Sequence, residues 1–116
     1  MSKMKVLFHI NDPDRWPRVL LNITNFINDA GQDNVAVEVV ANGGAVVALT
    51  GEKAHEKLQG EMNRLAGLGI VFSACRNALR MHSLDEDTLP PFITVVPAGI
   101  TEIVQKQAEG FAYIKP

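Results

Sequence analysis

The sequence predicts an α/β domain whose five strands form a parallel or mainly parallel sheet sandwiched by helices. Two observations carry that prediction. Short apolar runs rich in valine and isoleucine alternate along the chain with stretches whose apolar residues recur at spacings of three and four. Strand-helix-strand alternation of this kind closes into a parallel sheet with right-handed crossovers. The 116 residues, 47% hydrophobic and 21% charged, have a globular composition and leave room for one domain, residues 1–116, around one core.

The run Lys5-Val6-Leu7-Phe8-His9-Ile10 is closed by the turn-forming Asn11-Asp12-Pro13, as expected of a strand buried on both faces and central in the sheet. Asp14 is placed to cap the next segment, and Pro17 is tolerated in a first helical turn. Trp16, Val19, Leu20, Ile23, Phe26, Ile27 and Ala30 then trace the stripe of an amphipathic helix ending at Gly31, with Arg18, Asn22, Asn25 and Asp29 on the solvated side. Val35 to Ala41, dominated by valine, is the second strand. Its Glu38 is out of place. A carboxylate is costly to bury, so this strand is expected near a sheet edge or with one wet face; a catalytic carboxylate is the alternative.

Ala45 to Leu49 fits either a short strand or the lead-in to a helix. Glu52 to Ala66 reads as helix with Ala54, Leu58, Met62 and Leu65 inward, and Gly60 either weakens it or allows close packing. The third strand is Ile70 to Ala74, followed by a helix from Arg76 to about His82 and the solvated acidic turn Asp85-Glu86-Asp87. Beyond Pro90-Pro91, Phe92 to Val96 is the fourth strand. Pro97-Ala98-Gly99 opens a helix over Ile100 to Glu109, and Phe111 to Lys115 is the last strand.

Several function classes fall away. With a net charge of -2 and no cluster of Lys and Arg, no nucleic-acid partner is expected. No apolar stretch approaches the ~20 residues that span a bilayer, so no membrane partner is expected either. Met1-Ser2-Lys3-Met4-Lys5 leads into a strand pattern without a signal-like cleavage region, and the cytoplasm is the expected compartment. There is no P-loop and no dinucleotide fingerprint, so no cofactor is expected. One cysteine and three scattered histidines do not make a metal set; His55-Glu56 lacks a second histidine four positions on, where Gln59 stands.

Cys75 is the only cysteine. It follows a strand and precedes a helix, which places its sulfur at the carboxyl edge of the sheet, where open α/β sheets bind ligands. The unpaired N–H groups of a helix start stabilise an anion, and thiolate is the reactive form of cysteine. The alternative is a small buried hydrophobe. Phosphatase-like and arsenate-reductase-like loops carry an arginine at the sixth position after the cysteine; here that residue is Met81, and Arg80 is one short. A protease-like pair would need a histidine base. His9, near the carboxyl end of the first strand, is the best placed, with a hydrogen-bonded structural histidine as its alternative. Sulfur transfer needs little more than an accessible thiolate, and a lone cysteine must exchange sulfur with another molecule.

The segments Val39-Val40-Ala41-Asn42-Gly43, Ala74-Cys75-Arg76-Asn77-Ala78-Leu79, Val96-Pro97-Ala98-Gly99-Ile100 and Gln107 to Pro116, taken with Asn22, carry a pattern over nearly the whole chain. It resembles the DsrE/DsrF-like family of small sulfur-relay proteins. The resemblance implies a three-layer α/β/α sandwich with a five-stranded, mainly parallel sheet, and homo-oligomers, trimers or hexamers, with sites near subunit interfaces. In sulfur-transferring members a cysteine carries persulfide sulfur between proteins, and Cys75 falls at a cysteine position common in this branch. The resemblance therefore implies Cys75 as the catalytic residue, with sulfur donor and acceptor proteins as partners. Asn42 and Gly43 match a family motif, although a turn would use the same residues. Arg76 and Asn77 stand beside the sulfur, although Arg76 can equally point outward. With His9, these four are the candidate binding residues. The rival reading is a non-catalytic homo-oligomeric small-ligand-binding or structural module in which Cys75 only packs.

Overall fold

The computed structural model describes residues 3–50 and 52–116; Met1 and Ser2 of the N-terminal stretch lie outside the described residues. Its strands are β1 (Met4–Ile10), β2 (Val35–Ala41), β3 (Val71–Cys75), β4 (Ile93–Val96) and β5 (Ala112–Ile114). The helices are α1 (Trp16–Ala30), α2 (Glu56–Gly67), α3 (Arg76–Met81) and α4 (Gly99–Ala108). All strand pairings are parallel, in the order β4-β3-β2-β1-β5. From β1 to β4 the chain moves steadily toward one edge; α4 then carries it back to β5 at the other.

Side-chain alternation along parallel strands buried on both faces sets up two unequal layers. On one face Val6, Phe8 and Ile10 of β1, Val37 and Val39 of β2, and Phe72 of β3 join Trp16, Val19 and Ile23 of α1 in the main core. Met62 and Leu65 of α2 and Ala78 and Leu79 of α3 complete it. On the other face Leu7 and Val40 meet Ile103 of α4, with Phe111 packed against them. Three helices cover the first face, and among the described residues one covers the second. No helix among the described residues is long and apolar enough to cross a membrane.

Several expectations are corrected. The first strand has a neighbour on each side, but the middle of the sheet belongs to β2. Glu38 therefore lies on the central strand rather than near an edge, and it is tolerated there because polar partners surround it and a cavity adjoins it, as described below. Asp14 caps nothing: a 3-10 turn over Pro13–Arg15 precedes α1 and is capped by Asp12, whose Oδ1 accepts the Asp14 N–H at 2.9 Å, and α1 itself starts after Arg15 without a side-chain cap. Ala45 to Leu49 is neither strand nor α-helix but part of a 3-10 segment, Gly43–Leu49. It is held from outside, since the Trp16 indole N–H donates to the Ala45 carbonyl at 2.9 Å. A further 3-10 turn delays the start of α2, which leaves Ala54 exposed. Gly60 has open space where a Cβ would stand, so close packing is not its role.

Candidate functional site

The carboxyl edge of the sheet gathers four polar or reactive side chains from separate strand ends. Cys75 is the last residue of β3 and caps α3 with extended backbone, φ -73° and ψ 119°. Its register partner on β4 is Val96, after which the chain turns into α4 at Gly99. That glycine lies against the sheet: a Cβ built on it would stand 3.3 Å from the Cβ atoms of both Cys75 and Asn42, and 3.4 Å from Val40 Cγ1. A side chain there would push the neighbours apart by a few tenths of an ångström, so glycine suits the close approach of α4. Cys75 is 7% exposed, covered from above by the start of α4 and joined below to the main core.

Asn42 continues β2 and is tied to the rest of the edge. Its Oδ1 lies 2.9 Å from His9 Nε2, and His9 Nδ1 lies 2.6 Å from the Tyr113 hydroxyl. An amide oxygen only accepts, so Nε2 donates to it, and in the neutral ring Nδ1 accepts the tyrosine proton. The row Tyr113–His9–Asn42 thus links β5, β1 and β2, and Asn42 flanks Gly99 together with Cys75. His9 has both ring nitrogens engaged, neither with the thiol, and β2 stands between its strand and that of Cys75. The reversal of chain direction across the sheet falls between β1 and β5, where His9 and Tyr113 meet.

Gly43, at φ +53°, needs the left-handed backbone. A Cβ on it would stand 3.3 Å from the Asn11 carbonyl oxygen, so the close approach is to the chain itself. Arg76 turns away from the sulfur and pairs with Glu86, Nε to Oε2 at 2.9 Å; that carboxylate raises the guanidinium pKa further above its ordinary value. Asn77 is exposed and makes no side-chain hydrogen bond among those described. The structure brings together Cys75, Asn42 and, through Asn42, His9. It commits Arg76 to Glu86 instead of the sulfur.

Tyr113 and Gly99 lie in segments that the sequence singles out, but neither stood among the candidate site residues. Tyr113 is the only tyrosine of the chain, and a histidine in an apolar strand requires a partner for each nitrogen; that requirement was the available signal. The surroundings of Glu38 were equally out of reach. Ser73 Oγ donates to its Oε2 at 2.7 Å, Lys106 Nζ stands 3.9 Å from Oε1, and the Glu102 carboxylate shares a hydrogen bond with it. Burial, first, and Glu102, second, push the Glu38 carboxyl up to about 7, against the opposing pull of Ser73 and Lys106. Beside it lies a cavity of about 260 Å³, whose wall includes Thr94, Val96 and Phe111. Among the described residues no three His, Cys, Asp or Glu side chains converge as a metal-binding group.

The fold and this edge define a small, all-parallel α/β domain with one cysteine at the carboxyl end of an inner strand. The model of the DsrE/DsrF-like family matches residues 4–116, and the chain belongs to that family. A protein of unknown function from Methanobacterium thermoautotrophicum, MTH1491, has a similar structure, with a TM-score of 0.88 and 34% identity over 98% of this chain and 100% of that one. The ychN protein from E. coli shares the fold, with a TM-score of 0.78 and 14% identity over the full length of both chains. No curated protein matches.

Proposed function

We propose that this protein is a persulfide carrier of the cytoplasm, in which Cys75 takes up a sulfane sulfur and passes it to a partner thiol. The Cys75 thiolate attacks the outer sulfur of a donor persulfide; the new S–S bond forms as the donor's S–S bond breaks, and the donor leaves as a thiolate. Delivery is the same exchange with the acceptor thiolate attacking the outer sulfur on Cys75. The observation that carries this reading is the position of the only cysteine, capping α3 and lying under the first residue of α4 beside Asn42. We assign Cys75 the catalytic role and Asn42 a binding role toward the outer sulfur, with His9 and Tyr113 positioning it. Sulfur donor and acceptor proteins are the partners. A homo-oligomer, a trimer or hexamer, would draw on the outer side of α4, where Ile100 and Val104 are each 61% exposed.

One observation favours a second reading. At 7% exposure Cys75 is packed as a core residue, as in a non-catalytic oligomeric module. Intact-mass measurement after incubation with a low-molecular-weight persulfide separates the two. A gain of one sulfur on the wild type and none on Cys75→Ser supports the carrier. No gain on the wild type, or an equal gain on the variant, supports the packed cysteine.

A further inference from the structure

We propose that Glu38, Glu102 and Lys106 form a latch that holds α4 on the sheet, and that releasing it uncovers Cys75. The hold of α4 on its face is slight in apolar terms. Ile103 against Leu7 and Val40, with Phe111 alongside, is its hydrophobic anchor, whereas Ile100 and Val104 lie outside that contact. The other contacts are polar and lie one and two turns beyond Gly99: Glu102 hydrogen-bonds Glu38, and Lys106 stands at a looser 3.9 Å from the same carboxyl. Gly99, Glu102, Ile103 and Lys106 share one side of the helix by their three- and four-residue spacing. A tilt that frees Glu102 and Lys106 from β2 therefore lifts Gly99 from over Cys75, where there is no room even for a Cβ at ordinary contact distance.

The latch is sensitive to one proton. With its proton, Glu38 donates to the Glu102 carboxylate while accepting from Ser73. Without it, two carboxylates face each other in a poorly hydrated place. The charged groups on this side are Lys3, which lines the cavity, Lys106, which is shared with Glu109 at 3.7 Å, and Lys5, which is bound to the Glu109 carbonyl at 3.0 Å. Lys106 alone stands close to the pair, and it is not within hydrogen-bond distance of Glu38. Since the Glu38 carboxyl is pushed up to about 7, the latch weakens as pH rises through neutrality. A carrier whose cysteine is covered by a helix then has a route to its partner; the link to sulfur transfer rests on the proposed function, but the latch does not.

Alkylation of Cys75 by iodoacetamide in the full chain tests it, with the wild type compared with Glu102→Gln and Glu38→Gln. A glutamine at either position keeps a neutral donor or acceptor in the pair at every pH, so both variants stay latched. Dividing the wild-type rate by a variant's rate cancels the ionisation of the thiol itself. The ratio is expected near one at about pH 5.5 and at least roughly threefold higher at about pH 8.5. A flat ratio with both variants, or no alkylation of any form at any pH, overturns the latch. Glu102 is only half-buried on a helix surface, so that variant reads out even where Glu38→Gln fails to fold. Because alkylation requires no sulfur donor, the latch and the carrier reading fail separately.

Discussion

The two faces of the sheet are held by different physics. One is a continuous apolar layer in which α1, α2 and α3 share a core with the inward residues of β1 to β4. The other has one helix, a small apolar contact, and a buried carboxyl served by a serine, a second carboxylate and a lysine. Apolar burial is insensitive to pH and resists local opening, whereas a polar seat depends on protonation and opens at lower cost. The cysteine lies where the two meet, in the main core but roofed by the helix of the weaker face.

If the faces differ in this way, deleting a core side chain on the crowded face has the largest effect. Phe72 is 1% exposed between Trp16 and Phe92, with ring centroids 6.3 and 6.1 Å away. Phe72→Ala is expected to cost about 3–5 kcal/mol in denaturant unfolding. Ile103→Ala on the other face is expected to cost about 2 kcal/mol, since fewer partners lose contact; equal losses would erase the contrast.

Next comes pH. The folded chain holds the Glu38 proton up to about 7, while the unfolded chain releases it near 4.5. Between those values the folded state binds more protons, so stability falls as pH rises through that window, by on the order of 3 kcal/mol in total. Glu38→Gln should flatten that slope in pH-dependent unfolding, and an unchanged slope would move its origin elsewhere. A smaller effect is expected of Gly99→Val, which places methyl groups where Cys75 and Asn42 already lie at contact. It should cost about 1–3 kcal/mol and speed Cys75 alkylation, because α4 must retreat. Tyr113→Phe removes one hydrogen bond to His9 and should cost about 1 kcal/mol by the same unfolding assay.

The crowded face was the legible one. A fifteen-residue helix with an apolar stripe and a valine-rich strand announce themselves by period, because each buries one continuous surface. Cys75 at the strand-to-helix junction was legible for the same reason. Less could be read where a distant partner decides. The Trp16 indole fixes the 3-10 course after Gly43, from a residue 29 positions earlier in the chain. Tyr113 reaches His9 across 104 positions, and the central place of β2 depends on the order in which strands pair. Glu38 shows the limit best: its oddness in a strand was visible, but α4 residues far along the chain relieve it.

The most direct test of the account follows the sulfur itself. Purified chain loaded with one sulfane sulfur is mixed with an excess of a thiol acceptor, and both molecules are weighed by mass spectrometry. The account predicts that the chain loses one sulfur from Cys75 as the acceptor gains it. Loading at no residue, or a sulfur that stays on Cys75 while the acceptor's mass is unchanged, would contradict it.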